Sequence, residues 1–363
     1  MNILDHFTFE NVGSRIEDLE TPVPLVDIGI VEQNLKKWQA RSDKLGIANR
    51  PHIKTHKLVA LAKAQIEFGA RGITVQKLGE AEVMADAGIT DMLLTFNVVG
   101  AHKLERLATL ARRINISVVA DSKEVVEGLS RAGQMAGRDI PVLVECDTGA
   151  GRNGVQSPEA AVDLAKFIKA SKGLKYGGLM TYPGTRADAD KFLAKALELA
   201  ALAGLKTEVV SSGGSPDMWK DEGLAHVTEY RVGTYIYFDR SLAERGVCTY
   251  DECAVSVLAT VVSRPNDQRA LIDAGSKALT SDLLGLKGYG VVRELGFAKV
   301  YNVNEEHGYL DIADCNDKPK VGDLVRVTPN HVCPVINLFD KVVVVLGKEV
   351  LGAVKVDARG MVQ

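Results

Sequence analysis

The chain has 363 residues, 46% of them hydrophobic and 25% charged, with a formal net charge of −3; this length suits one large domain with a smaller one, in a soluble globular protein of ordinary composition. A charge so near neutrality gives no reason to expect a nucleic-acid or membrane-surface partner, and no apolar run approaches the ~20 residues that a membrane span needs. Five scattered cysteines (Cys146, Cys248, Cys253, Cys315 and Cys333) and an acidic N-terminus without signal-peptide order predict a reduced, cytoplasmic protein rather than a disulfide framework.

Along the chain, TPVPLVDIGI (21–30) precedes a helical pattern at about 31–46, and segment 1–30 is expected to join a C-terminal β domain. From Arg50 to Asp239, short β-rich runs alternate with longer helical patterns. The strand candidates are RPHIK (50–54), GITVQ (72–76), DMLLTF (91–96), ISVVAD (116–121), PVLVECD (141–147), YGGLMTY (176–182), TEVVSS (207–212) and GTYIYFD (233–239). Between them lie stretches such as VALAKAQIEFGA (59–70), KLERLATLARRI (103–114) and ADKFLAKALELAALAG (189–204). Their apolar residues recur every three to four positions, and several stop at a glycine, as helix C-termini do. Eight such units predict a (β/α)8 barrel over 31–245, with a doubly wound open sheet as the alternative. After Arg245, runs such as VSVLATVVSRP, RALIDAGS, GYLDIAD and DKVVVVLGKEV are short strands split by turns, which predicts an antiparallel β domain over 246–363.

Three stretches carry chemistry. PHIKTHK (51–57) places Lys54 at a strand end between His52 and His56; an amine there can form a Schiff base with a carbonyl. VVSSGGSPD (209–217) follows a strand, and Ser212, Gly213 and Gly214 can turn N–H and hydroxyl donors on an anion, where barrels often bind phosphate. EYRVGTYIYFD then brings Arg231, Gly233, Thr234 and Tyr235 toward the same end. In PNHVCP (329–334), His331 and Cys333 are two apart. On an extended strand they would share a face and grip one metal ion, imidazole with thiolate favouring zinc.

Together, and in this order, these motifs resemble the metal-activated pyridoxal-phosphate enzymes of the D-threonine aldolase and D-serine dehydratase family, from about Thr21 to the end of the chain. The resemblance implies an alanine-racemase-like fold, a (β/α)8 barrel followed by a β domain. It makes Lys54 of RPHIKTHK the Schiff-base residue. GITVQKLGEAE brings Gln76 to the cofactor, CDTGAGRNGV brings Arg152, and YPG brings Tyr182. SSGG and GTYIYFD match the phosphate-binding loops, and HVCP matches the metal motif. Arg231 matches the arginine that faces the pyridine nitrogen in alanine racemases.

The implied activity is that of a lyase of D-3-hydroxy amino acids, using pyridoxal 5'-phosphate and a divalent metal (zinc, or manganese or magnesium). The resemblance also implies a homodimer. Retro-aldol cleavage of a D-threonine-like substrate to glycine and an aldehyde is the first reading. Dehydration of D-serine or D-3-hydroxyaspartate to a keto acid and ammonia is the second, favoured by Cys333, since aldolases with this motif often carry aspartate there. Arg231 also keeps an amino-acid racemase open, and a non-catalytic pyridoxal-phosphate carrier is the remaining option. A general base is not assigned, because Tyr182 is followed by Pro183 where the family usually has histidine; His52 and His56 are the candidates.

Overall fold

In the computed structural model, which describes residues 2–184 and 186–363, eight strands form one all-parallel sheet. They are Ala48–Asn49, Ile73–Val75, Asp91–Leu94, Asn115–Ala120, Ile140–Cys146, Leu174–Thr181, Val209–Ser212 and Glu229–Tyr230. The first strand pairs with the eighth through Ala48 and Glu229. On its other side, His52 bridges Thr74, whose N–H donates to the Pro51 carbonyl at 2.7 Å. The sheet therefore closes on itself, and the doubly wound alternative is excluded. Its strands are buried along most of their length, as parallel strands covered by helices must be.

The covering helices follow from their periodicity. In Ala101–Arg113, Leu104, Leu107, Ala108 and Ala111 fall on one buried face. Burying a leucine fully contributes roughly 1.5–3 kcal/mol. Helix Pro158–Ala170 starts from Ser157, whose hydroxyl accepts the Ala160 N–H at 3.1 Å, with proline in the first turn.

Two expected strands differ from the structure. The first barrel strand lies at Ala48–Asn49, and Ile53–Thr55 is a 3-10 turn, so Lys54 sits in the turn after the strand. The eighth is Glu229–Tyr230; GTYIYFD instead holds a 3-10 turn, Thr234–Ile236, and Phe238 has φ 48°. Tyr235, Ile236, Tyr237 and Phe238 are all buried, so their aromatic run reflects core packing and not a strand.

The chain divides into two compact units. One holds the barrel: Gln39–Lys54, Ala62–Gly233 and the last three residues. The other takes the chain through Trp38, Thr55–Leu61 and Thr234–Gly360. In the latter, Val255–Ser263, Arg269–Ile272, Gly308–Asp311, Ala298–Val303, Gly290–Val292 and Leu324–Pro329 pair in a closed antiparallel ring. It encloses Val257, Val261, Ile272, Val300, Leu310 and Val327. Strand Val23–Asp27 inserts between Val255–Ser263, antiparallel, and Lys341–Leu346, parallel.

Gly178 tests barrel packing. Its φ is +135°, and a Cβ there would lie 2.0 Å from the Val209 carbonyl oxygen of the neighbouring strand. Gly178→Ala is expected to lower stability by roughly 2–4 kcal/mol, read from the chemical denaturation midpoint. A loss under about 0.5 kcal/mol would contradict this packing.

Candidate active site

The lysine turn is held by its two neighbours in the barrel. The His52 N–H donates to the Val232 carbonyl at 2.7 Å, and His52 Nδ1 accepts the Lys54 N–H at 3.3 Å. That acceptor role leaves the ring proton on Nε2, which donates to Gln76 Oε1 at 3.0 Å. The Gln76 amide in turn donates to the Thr95 carbonyl at 2.9 Å. Both nitrogens of His52 are thus engaged in a buried neutral imidazole, while Lys54 is exposed between buried neighbours.

The anion-type loop leaves strand Val209–Ser212. Gly213 has φ +102°, and a Cβ there would lie 2.4 Å from the Tyr230 ring, so only glycine fits. The Tyr230 hydroxyl donates to the Gly214 carbonyl at 3.1 Å, and the Gly233 N–H donates to Ser215 Oγ at 3.3 Å. This ties the two glycine-bearing segments together. The Arg231 N–H donates to the Ser212 carbonyl at 2.9 Å. Its guanidinium donates to Ser211 Oγ at 2.7 Å and to the Thr181 carbonyl at 2.8 Å. Burial pushes Arg231 down to about 10, against the pull of Glu229 and Glu145, so it remains a cation at neutral pH.

A third segment, Asp147–Gly154, carries Arg152. Asp147 Oδ1 accepts the Gly149 and Gly151 N–H groups at 3.0 and 3.1 Å, and Asp121 Oδ2 accepts the Gly154 N–H at 3.2 Å. Arg152 lies over the Tyr182 ring at 5.2 Å, with Nη2 3.9 Å from Glu145 Oε1. Asn153 Nδ2 donates to Glu145 Oε2 at 2.6 Å. Burial pushes the Glu145 carboxyl up to about 7; Arg152 and Arg231 oppose this, and Asp121 and Asp147 add to it.

His331 and Cys333 lie in the β unit, with a geometry different from the expected strand. His331 is the N-cap of helix Val332–Leu338, and Cys333 is in its first turn. They still meet: the His331 ring hydrogen-bonds Cys333, while its Nδ1 lies 2.6 Å from Asp282 Oδ2. Burial pulls His331 down, but Cys333, Asp282 and Asp239 outweigh it and hold the imidazole up at about 9. Cys333 Sγ lies 3.1 Å from Thr55 Oγ1 and 3.7 Å from Thr234 Oγ1. Asp239 Oδ2 accepts the Val332 N–H at 3.2 Å. Among the described residues, no three His, Cys, Asp or Glu side chains gather as a metal-holding group. His56 and Tyr235 are buried here: His56 Nδ1 accepts the Leu58 N–H at 3.0 Å, and Tyr235 packs edge-on against Trp38 at 6.4 Å.

Lys54, His52, Gln76, Arg152, Tyr182, Ser212, Gly213, Gly214, Arg231 and Gly233 therefore belong to the barrel unit, and His56, Thr234, Tyr235, His331 and Cys333 to the β unit. Sequence reasoning passed over Glu145, Thr55, Asp239 and Asp282. Glu145 had a readable signal, an acid inside the apolar run PVLVECD. Asp282 had none, since its partner His331 is far along the chain.

The family described as alanine racemase, N-terminal domain matches residues 26–241, and the one described as putative serine dehydratase domain matches 254–345. A D-threonine aldolase of Arthrobacter sp is 33% identical over 366 residues, covering 96% of this chain and 95% of that protein. A D-threo-3-hydroxyaspartate dehydratase of Delftia sp. is 33% identical over 348 residues, covering 87% and 91%. A cysteine-to-alanine variant of D-threo-3-hydroxyaspartate dehydratase has been solved in a metal-free form, 30% identical with a TM-score of 0.84, covering 94% and 99%. The crystal structure of D-threonine aldolase from Filomicrobium marinum superposes with a TM-score of 0.90 at 31% identity, covering 98% of this chain and 100% of that one.

The raised Glu145 carboxyl gives a signed prediction. Its folded value of about 7 stands above the ordinary 4.5. The folded state therefore keeps a proton that the unfolded chain releases between those pH values. The associated stability is fully present below pH 4.5 and lost as pH rises through 7. Glu145→Gln cannot ionise, so its Tm relative to the unsubstituted protein should rise between about pH 5 and pH 8. A difference that stays flat across that range would place the Glu145 carboxyl near its ordinary value.

Proposed function

Since the chain belongs to the family of D-threonine aldolases and D-3-hydroxyaspartate dehydratases, we propose that it is a pyridoxal-phosphate- and metal-dependent lyase performing retro-aldol cleavage of D-3-hydroxy amino acids. The observation that carries this reading is the end-to-end likeness to D-threonine aldolase, with a TM-score of 0.90 over 98% of the chain.

The residues present fit the cofactor. Lys54 is an exposed amine in a turn that His52 and Gln76 hold from beneath, and it would carry the aldehyde covalently. The Ser212–Ser215 loop, which admits only glycine at position 213, would hold the phosphate with Gly233, whose N–H is tied to Ser215. Arg152 and Tyr182 would flank the cofactor. Arg231, locked to Ser211 and Thr181, keeps a fixed positive charge that disfavours a second one beside it. When bound, pyridoxal phosphate supplies an electron sink for the pair released at Cα.

The donor set at His331 and Cys333 fits a zinc-like ion. A carboxylate, Asp282, already orients the imidazole through Nδ1, as outer partners of metal-binding histidines do. His331 and Cys333 would hold the ion, which when bound would supply a Lewis acid to the substrate's β-hydroxyl. Both ring nitrogens of His52 and the Nδ1 of His56 are hydrogen-bonded, so these histidines hold the turn and the core. Dehydration is the second reading, and the cysteine at position 333 favours it. In that case the Lys54 amine takes the Cα proton. The ring of six strands and the His331–Cys333 pair speak against a mere carrier. Free cysteines throughout suit the cytoplasm, and among the described residues no helix is long and apolar enough to cross a membrane. A homodimer is part of this proposal.

With pyridoxal phosphate and a divalent metal added, D-threonine should give glycine and acetaldehyde, and L-threonine should not. A chelator should cut turnover by about 100-fold or more, with recovery on metal add-back. Keto acid and ammonia as sole products would replace the aldolase reading with the dehydratase one. Inversion that survives chelation would overturn both.

A further inference from the structure

We propose that Glu145 is the positioning residue for Arg152: a buried carboxylate that ties down the Asp147–Gly154 loop through Asn153 and draws the Arg152 guanidinium to the face of Tyr182. The inference deepens the proposed function and rests on it, because Arg152 matters to the reaction only if the cofactor binds at this end of the barrel.

The loop's backbone is framed at its base. The Val155 N–H donates to the Glu145 carbonyl at 2.9 Å, and the Asp147 N–H donates back to the Val155 carbonyl at 3.0 Å. Asp147 gathers the Gly149 and Gly151 amides, which shapes the turn without touching Arg152. The Glu145 side chain reaches two consecutive loop residues at once. One oxygen takes the Asn153 amide at 2.6 Å, and the other faces Arg152 Nη2 at 3.9 Å. The pair is asymmetric: the Arg152 side chain is 57% exposed and that of Glu145 only 2%. A half-exposed arginine on an irregular loop samples many rotamers, whereas a buried carboxylate on a strand samples few. The direction of Arg152 is therefore set from below by Glu145, both across the 3.9 Å approach and through Asn153, whose Oδ1 accepts the Arg152 Nε–H at 3.1 Å. Tyr182 offers the ring face on the other side, 5.2 Å from Cζ. Arg231 also lies in the field of Glu145, after the stronger pull of Glu229.

The test is run at about pH 8, above the Glu145 value of about 7, and uses Glu145→Gln, which keeps an acceptor for Asn153 but removes the charge, together with Arg152→Ala and the double variant, all with thermal unfolding checked. The first readout needs no cofactor. Trypsin cleavage after Arg152 in the cofactor-free protein should be about five-fold faster in Glu145→Gln, with other sites unchanged. The second is pyridoxal-phosphate affinity by absorbance titration. Glu145→Gln should weaken it about five- to ten-fold, and the double variant should be no weaker than Arg152→Ala alone, because the acid acts through the arginine. Glu145→Asp should restore part of the loss. Additive losses in the double variant would overturn the proposal, as would a Glu145→Gln variant that matches the unsubstituted protein in affinity. Faster cleavage in Glu145→Gln, alongside an unsubstituted protein that binds no pyridoxal phosphate, would support the control of Arg152 while refuting the cofactor reading. If Glu145→Gln fails to fold, Asn153→Ala takes its place. It should speed cleavage after Arg152 by about two-fold or more and weaken affinity by no more than Arg152→Ala does, and cleavage and affinity both equal to those of the unsubstituted protein would overturn the proposal.

Discussion

The barrel is closed by a buried ion pair. Arg50 Nε donates to Glu229 Oε2 at 2.5 Å, joining the residue just after the first strand to the eighth strand, and its Nη1 reaches Asp91 at the same distance. Burial penalises the Arg50 charge, but Glu229 and Asp91 outweigh the penalty and hold its pKa above the ordinary value. A charge pair this deep contributes less to net stability than its distances suggest, because both partners lose their hydration; removing one partner alone would leave a buried charge without compensation. Its larger effect is on register. Glu229 also accepts the Ser211 hydroxyl at 2.6 Å, and Ser211 in turn accepts from Arg231. The network that shuts the barrel thus fixes, in one connected set, the start of the lysine turn and the buried arginine.

The barrel's strand ends carry two kinds of group. Some are rigid and already satisfied: His52 with Gln76, Arg231 with Ser211 and Thr181, Tyr230 with Gly214. Others are exposed: Lys54, Tyr182 and Arg152. This division suits a site whose reacting groups must reach a ligand while the shell behind them holds still. In the β unit, His331 and Cys333 follow the same rule, with Asp282 holding the imidazole and Asp239 holding the backbone of Val332.

Much of this was legible in the sequence because it rests on local patterns. Helix periodicity, the glycine pair after a strand and the run RPHIKTHK all depend on neighbours in the chain. What misled was local resemblance between different causes of apolarity. GTYIYFD is as apolar as a barrel strand, yet its aromatic residues are buried around a turn. His331 and Cys333 meet across a helix N-terminus as readily as two residues on one face of a strand, so their spacing pointed to the contact and to the wrong element. Glu145 was visible as an acid in an apolar strand, but its partners, Asn153 and Arg152, depend on how a later loop folds back. Asp282 and Thr55 gain their partners only through long-range folding, which no short motif encodes.

The account turns on the exposed amine of Lys54 as the point of covalent attachment for pyridoxal phosphate. Reduction of the cofactor-loaded protein with borohydride, followed by proteolysis and peptide mapping, tests this most directly. The account predicts a single phosphopyridoxyl label on the peptide containing Lys54. A label on another lysine, or a loaded protein that yields no labelled peptide, would contradict it.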